Sequence, residues 1–322
     1  MQVRKAVITA AGRGVRLYPV ADTVQKGMLP LMDRDGLTKP VIQIIAEEAL
    51  DSGIEEVCIV CAPGDEPRYR SQLSQLRNNL LEAYTGTAWA SAQAERIDAM
   101  LRKLTFSVQE EPHGYGHAVY CAHDFVGDDP FLLLLGDHLY LSDIDGTRCA
   151  QQLIQLAEQE QCAVAAVNPT REQYVGNYGA LSGRRVSEMP GVYQIEKIIE
   201  KPSISLAESE LQTPGLRAGH FLCFFGMHVL TPTIFSFLGE ALARRPDECQ
   251  LTPALQELAN RERYLAAELR GARYDIGARY GLLTAQIALG MAGHDRDAML
   301  VEMVELLAVS KRRRNHDTGP AR

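Results

Sequence analysis

Five consecutive apolar residues, Phe131–Leu135, run directly into Gly136-Asp137 and constrain the fold more than any other stretch of this chain. An unbroken run of this length marks a strand buried on both faces, which requires a sheet covered by helices on each side. The turn after it delivers Asp137 to the carboxyl end of the strand, where open α/β sheets bind their ligands. Upstream, a strand over Lys5–Thr9, an amphipathic helix over 39–52 and a strand over Glu56–Cys61 follow the strand, helix, strand order of a parallel sheet.

The same alternation continues along the chain. The pattern predicts polar-faced helix over 68–104, a strand over 106–109, a helix start over 117–123, a helix over 150–160 and a strand over 162–167. An antiparallel excursion follows over 178–202, with turns expected at Gly183 and Pro190-Gly191, then a buried strand over 219–229 and a helix over 251–260. Met299, Val301, Met303, Val304, Leu306 and Leu307 have helical spacing and are expected to pack on the chain's own core, a partner subunit being the other cover. Residues 311–322 contain Lys-Arg-Arg-Arg and Gly-Pro, so the chain divides into a domain over 1–308 and a mobile basic tail over 309–322.

Composition narrows the class. A net charge of −8 with 46% hydrophobic and 23% charged residues is that of a soluble globular protein, and it argues against general nucleic-acid binding, which needs a continuous basic face. The seven cysteines are odd in number and lie mostly in apolar runs, as reduced core thiols of a cytoplasmic protein do. Cys58 and Cys61 form a Cys-x-x-Cys, but in a strand this spacing points the two thiols to opposite faces and makes no zinc site. No stretch reaches the roughly 20 apolar residues that span a bilayer, and the amino terminus has no signal-peptide pattern, so a cytoplasmic protein without membrane partners is expected.

Chemistry concentrates near the amino terminus. The string AAGRGVRLYP (10–19) follows the first strand as a glycine-rich turn, and KGMLP (26–30) comes next. Glycines let backbone N–H groups approach phosphate oxygens, and arginine or lysine neutralises them. Within residues 1–30 the cations Arg4, Lys5, Arg13, Arg16 and Lys26 face a single acid, Asp22, so positive charge gathers where a polyphosphate needs it. A dinucleotide-binding motif would need glycine where Leu17 stands and an acidic residue where Cys61-Ala62 stands, and no Walker A string occurs.

With GYGHAV (114–119), LLGDH (134–138), YGAL (178–181), IEKP (199–202), QLTPAL (250–255) and YDIG (274–277), these strings resemble the bacterial UTP:glucose-1-phosphate uridylyltransferases of the sugar-nucleotide pyrophosphorylase superfamily. The motifs stand in that family's order over about residues 3 to 305. The resemblance implies one Rossmann-like, GT-A-like α/β nucleotidyltransferase domain with a mixed, mainly parallel central sheet flanked by helices. It also implies the reaction of UTP and a hexose 1-phosphate, most simply glucose 1-phosphate, to UDP-sugar and pyrophosphate, with Mg²⁺ as cofactor and a homo-oligomeric assembly.

Residue by residue, Arg16 matches the arginine that holds the triphosphate and Lys26 the lysine near the α-phosphate and leaving group. Asp137 and Asp275 match the pair that holds Mg²⁺. Lys201 matches the lysine for the sugar phosphate, Glu200 the carboxylate for sugar hydroxyls, and Gly179 a backbone contact to the hexose. Gln109 and Gly114 match positions that read the pyrimidine edge, while Ala10, Ala11 and Gly12, with Arg13 and Gly14, line the nucleotide. An amide can both donate and accept, which suits the uracil O4 and N3 face.

The chain departs from that pattern at several places. Val15 replaces a threonine, Asp22 a lysine, Gln25-Lys26-Gly27 a Pro-Lys-Glu, and His138 a second aspartate beside the metal. Residues 34–38 read as an inserted surface loop. Gly114 and Gly116 disfavour a helical His113/His117 metal pair; His117 matches the family's histidine in this motif, and the resemblance implies that it orients the loop. Two alternatives stay open: the same chemistry with dTTP or another sugar 1-phosphate, and a catalytically weak nucleotide-sugar sensor.

Overall fold

The structure, a computed structural model, describes residues 1–12 and 24–317, with side chains as far as Val309. From the amino terminus, β1 (Lys5–Thr9) leads to a small hairpin of β2 (Pro30–Met32) and β3 (Thr38–Pro40), then α1 (Val41–Leu50), β4 (Glu56–Cys61), α2 (Asp65–Ala83), α3 (Ala88–Lys103) and β5 (Leu104–Val108). Two short helices, α4 (Tyr115–Tyr120) and α5 (His123–Val126), precede β6 (Phe131–Leu135), β7 (His138–Ser142) and α6 (Cys149–Glu160). The remainder runs β8 (Ala163–Arg171), β9 (Gly179–Arg185), β10 (Val192–Glu200), α7 (Ile204–Glu210), β11 (His220–Leu230), α8 (Thr233–Arg244), α9 (Leu251–Arg261), β12 (Tyr264–Glu268), β13 (Gly271–Asp275), α10 (Gly281–Met291) and α11 (Arg296–Asp317).

Nine strands make one mixed sheet in the order β5-β4-β1-β6-β11-β8-β12-β10-β9. The first four are parallel throughout, with β1 flanked by β4 and β6 in register. Beyond β6 the pairing turns antiparallel, except between β8 and β12, so the expected parallel character is concentrated in the amino-terminal half. Alternate residues of β1 explain the layering. Ala6 and Ile8 join the core beneath α1, α2 and α6, whereas Val7 joins the core beneath α4, α8 and α9. Each fully buried aliphatic side chain contributes on the order of 1.5–3 kcal/mol, so this double-sided cover is what holds the sheet flat against its helices. Cys61 and Cys58 fall in these two opposite layers, as their spacing requires.

Several expectations shift locally. The helical 68–104 stretch is divided into α2 and α3, and α2 begins earlier, at Asp65. Gly116 lies inside α4 despite its low helix propensity, because the backbone of Cys249 and Gln250 packs where a side chain would stand. Gly183 sits within β9 rather than at a turn, and a Cβ there would meet Gln194 O at 2.6 Å, opposite the register shift in β10. Residues 34–38 form the tip of the β2–β3 hairpin and are tied down: Arg34 O accepts from His294 N at 3.0 Å, and buried Lys39 bridges Asp33, Asp35 and Glu47. Val301, Val304, Leu306 and Leu307 of α11 are 59–70% exposed rather than packed on the chain's own core. The expected boundary at 308 falls within α11, whose backbone stays helical to Asp317, and 318–322 lie outside the described residues.

Because β5, β4, β1 and β6 point the same way, their carboxyl ends open along one edge and are cross-linked there by main-chain hydrogen bonds. Ala10 N donates to Val60 O (2.7 Å), Gln109 N to Cys61 O (2.9 Å) and Gly136 N to Thr9 O (2.9 Å). A Cβ at Gly136 would lie 2.7 Å from Thr9 O and 2.9 Å from Ala10 Cβ. Gly136→Ala is therefore expected to wedge β1 and β6 apart and cost about 1–3 kcal/mol, read as a lower urea midpoint; an unchanged midpoint contradicts the close approach.

Candidate active site

The four parallel strand ends and the Lys26 turn enclose a cavity of about 770 Å³. Ala10, Ala11 and Gly12 continue β1 into its wall, Gln109 follows β5, and Gly136-Asp137 follows β6. At one end the Gln109 amide nitrogen donates to Gly114 O at 3.1 Å. His117 Nδ1 lies 2.9 Å from Glu111 O, which requires the proton on Nδ1. The imidazole thus secures the 111–117 loop, to which the Gln109 amide nitrogen is also committed. Gly114 has φ +109, and a Cβ there would come 2.5 Å from Cys249 O, so loop and α9 entrance are locked together.

At the other end stand the charges. Lys26, in a single 3₁₀ turn, places Nζ 3.2 Å from Asp137 Oδ2, both side chains largely buried. β7 leaves the turn after Asp137 and pairs antiparallel with β13, setting His138 opposite Asp275. Ile276 N donates to Asp137 O at 2.9 Å and Gly277 N to Asp275 Oδ1 at 2.8 Å, so both acidic residues are fixed by backbone. One ligand atom each from Asp137, His138 and Asp275 lie within 4.8 Å of one another. Burial alone would raise the Asp137 carboxyl, but the adjacent His138 ring and Lys26 ammonium outweigh it and hold the carboxyl well below the usual carboxylate range.

A second group of residues borders this end. Glu200, the last residue of β10, pairs with Gly179, the first of β9, and its Oε2 accepts from Thr252 Oγ1 at 2.6 Å. A Cβ at Gly179 would meet Phe224 Cδ2 at 2.8 Å and Glu200 Oε2 at 3.0 Å, so glycine keeps the carboxylate accessible. Lys201 has φ +44 and an exposed side chain, with Nζ 3.9 Å from Glu200 Oε1; it does not line the main cavity. Tyr115 links the two groups: burial raises its hydroxyl pKa, the hydroxyl bonds the Thr9 side chain, and it feels the charges of both Asp137 and Glu200.

The residues singled out by sequence thus separate into three sets. Ala10, Ala11, Gly12, Lys26, Gln109, Gly114 and Asp137 line one cavity; Asp275 joins Asp137; Gly179, Glu200 and Lys201 cluster at the β9–β10 end. Arg13, Gly14 and Arg16, with Val15 and Asp22, lie outside the described residues. Sequence reading did not single out Tyr69, whose buried ring fills the space beside Gly27, its hydroxyl 2.9 Å from the position of a Cβ there. Nor did it find Thr252, read only as a helix start, or Arg273, which shares a strand face with Asp275, stacks its guanidinium 4.5 Å over Tyr178 and donates to Phe224 O. Alternation along YDIG and its upstream strand was the available signal for Arg273.

A parallel-strand edge that presents glycine-rich backbone, a buried lysine and two converging carboxylates around one cavity defines a nucleotidyltransferase. Residues 5–290 match the Nucleotidyl transferase family model, and the chain belongs to that family. It is 33% identical over 311 residues to a UTP–glucose-1-phosphate uridylyltransferase of Bacillus subtilis (strain 168), covering 94% of this chain and 97% of that protein. It is 34% identical over 290 residues to the enzyme of the same name from Streptococcus pneumoniae serotype 4, covering 89% and 90% of the two chains. Among solved structures, a UDP-glucose pyrophosphorylase complexed with UDP-glucose superposes with a TM-score of 0.71 at 29% identity, covering 89% of this chain and 98% of that one.

Replacing Lys26 by methionine removes a cation that favours the charged carboxylate. The Asp137 carboxyl is expected to titrate at higher pH in Lys26→Met than in the wild type, followed by carboxyl ¹³C NMR; an unmoved titration contradicts the pairing.

Proposed function

We propose that this protein transfers the uridylyl group of UTP to glucose 1-phosphate, giving UDP-glucose and pyrophosphate. The observation that carries the reading is the junction of Lys26, Asp137 and Asp275 at one end of a cavity whose other end is closed by Gln109 and Gly114. A phosphate oxygen of the sugar phosphate attacks the α-phosphorus of UTP; the bond from that phosphorus to the β-bridging oxygen breaks, and pyrophosphate leaves with its electrons. Both reactants are anions, so alignment and charge neutralisation are the enzyme's main tasks.

Lys26 is placed to neutralise charge as the leaving group departs. Gln109 accepts from the N3–H of uracil, and the main chain at Ala10, Ala11 and Gly12 borders the nucleotide. By the resemblance of their motif, Arg13, Gly14 and Arg16 are assigned to the triphosphate. Glu200, held by Thr252, accepts from hexose hydroxyls beside Gly179, and Lys201 reaches the sugar phosphate from the rim. The oxygens of Asp137 and Asp275 fit a divalent cation, since the Asp137 carboxylate is held ionised, the main chain at Asp137 accepts from Ile276 N, and the Asp275 carboxylate accepts from Gly277 N. We assign Mg²⁺ to this place, where it would supply Lewis-acid polarisation of the phosphates.

The apolar residues exposed around α11 are covered in our reading by a second copy of the chain, because a helix that is apolar on several sides is a buried helix. Among the described residues no helix is long and apolar enough to cross a membrane, and burial pushes thiols such as Cys58 and Cys223 up to about 11. Inert, reduced thiols and a nucleoside triphosphate substrate support a cytoplasmic location.

Pyrophosphate release measured over UTP, dTTP, GTP, CTP and ATP against several sugar 1-phosphates should be fastest with UTP and glucose 1-phosphate. Lys26→Ala and Asp137→Asn should each lower kcat by on the order of 10²-fold or more. No turnover together with tight UDP-glucose binding overturns the catalytic reading in favour of a sensor.

A further inference from the structure

We propose that His138 Nδ1 is a third protein ligand of the cation held by Asp137 and Asp275, and that this imidazole makes the site bind Mn²⁺ in preference to Mg²⁺. The proposal rests on the reading that the two carboxylates hold a cation, and it concerns the one donor in the cluster that is not oxygen. His138 is the first residue of β7 and faces Asp275 directly across the β7–β13 ladder. Residues directly opposite on antiparallel strands project to the same face, so the register itself delivers the imidazole beside the Asp275 carboxylate.

The ring is 7% exposed, stacked against Tyr140 and packed near Gly226, so it is held by the core rather than free to swing into solvent. Tyr140 is fixed in turn, its hydroxyl donating to Gly226 O at 2.7 Å. Nδ1 stands 2.9 Å from Asp137 Oδ1, and one ligand atom from each of the three residues lies within 4.8 Å of the others. Adjacent ligands of a cation with bonds of about 2.1 Å are about 3 Å apart, and opposite ligands about 4.2 Å, so Nδ1 and Asp137 Oδ1 already have the spacing of adjacent ligands, and side-chain adjustment alone brings the cluster into one coordination sphere.

Donor chemistry then sets the preference. Mg²⁺ is hard, takes oxygen almost exclusively and dehydrates reluctantly, whereas imidazole suits first-row transition ions. Exchanging a carboxylate for His138 removes one negative charge and adds a borderline nitrogen. Both changes weaken the site for Mg²⁺ relative to Mn²⁺. The competing role for Nδ1 is an N–H donated to Asp137 Oδ1, which leaves the nitrogen protonated and unable to ligate.

Electron spin echo measurements on the full-length protein with Mn²⁺ and inorganic pyrophosphate decide between the two, since pyrophosphate carries no nitrogen. The wild type is expected to show ¹⁴N modulation from a directly bound imidazole, lost in His138→Asp and His138→Ala. Competition between Mn²⁺ and Mg²⁺ should favour Mn²⁺ in the wild type, and His138→Asp should narrow that preference about tenfold. Bound Mn²⁺ without ¹⁴N modulation in the wild type, an unchanged ratio in a folded His138→Asp, or no Mn²⁺ bound at all overturns the proposal. Turnover is not read in these experiments, so a failure of the uridylyl-transfer assignment shows separately in pyrophosphate release.

Discussion

The antiparallel ladder between His138–Ser142 and Gly271–Asp275 is the constraint on which the site depends. It joins the end of a parallel strand to a ribbon from the far end of the chain, and so brings Asp275 to Asp137. Like charges brought together in a part-buried place repel, and each loses hydration. Lys26 and His138 at the Asp137 carboxylate, and the main-chain N–H of Gly277 at the Asp275 carboxylate, offset that penalty in the protein alone. On the proposed reading, a cation held between Asp137 and Asp275 joins these groups in the working state.

The division of the sheet has a matching logic. Parallel strands end together, so four of them deliver Ala10–Gly12, Ala62-Pro63, Gln109 and Gly136-Asp137 to one wall without any long loop between wall and core. The antiparallel half carries Gly179 and Glu200 at the ends of paired strands, with Thr252 of α9 donating to the Glu200 carboxylate.

Much of this architecture was legible in the sequence. β1, β4 and β6 coincide with the predicted strands because buried apolar runs bounded by turn residues leave little freedom of assignment. The β7–β13 ribbon was not legible, since its pairing is set by contacts distant in sequence rather than by local pattern. Gly116 in a helix and Gly183 in a strand were misplaced for one reason: each is a glycine demanded by a neighbouring backbone, which no local propensity records. Of the site, the motifs named Asp137, Asp275 and Glu200, but the roles of Thr252 and Arg273 emerge only from who stands next to them. The loss of a glutamate at Gly27 is matched by Tyr69 filling that corner of the cavity, a compensation carried by a different helix.

A double-mutant cycle on kcat with Asp137→Asn and Asp275→Asn addresses the convergence of these two residues on one function most directly. If both act through one shared cation, the double variant is expected to lose little beyond the worse single variant, so the effects fall far short of additive. Losses that multiply independently would show that the two carboxylates serve separate tasks, and would contradict the account.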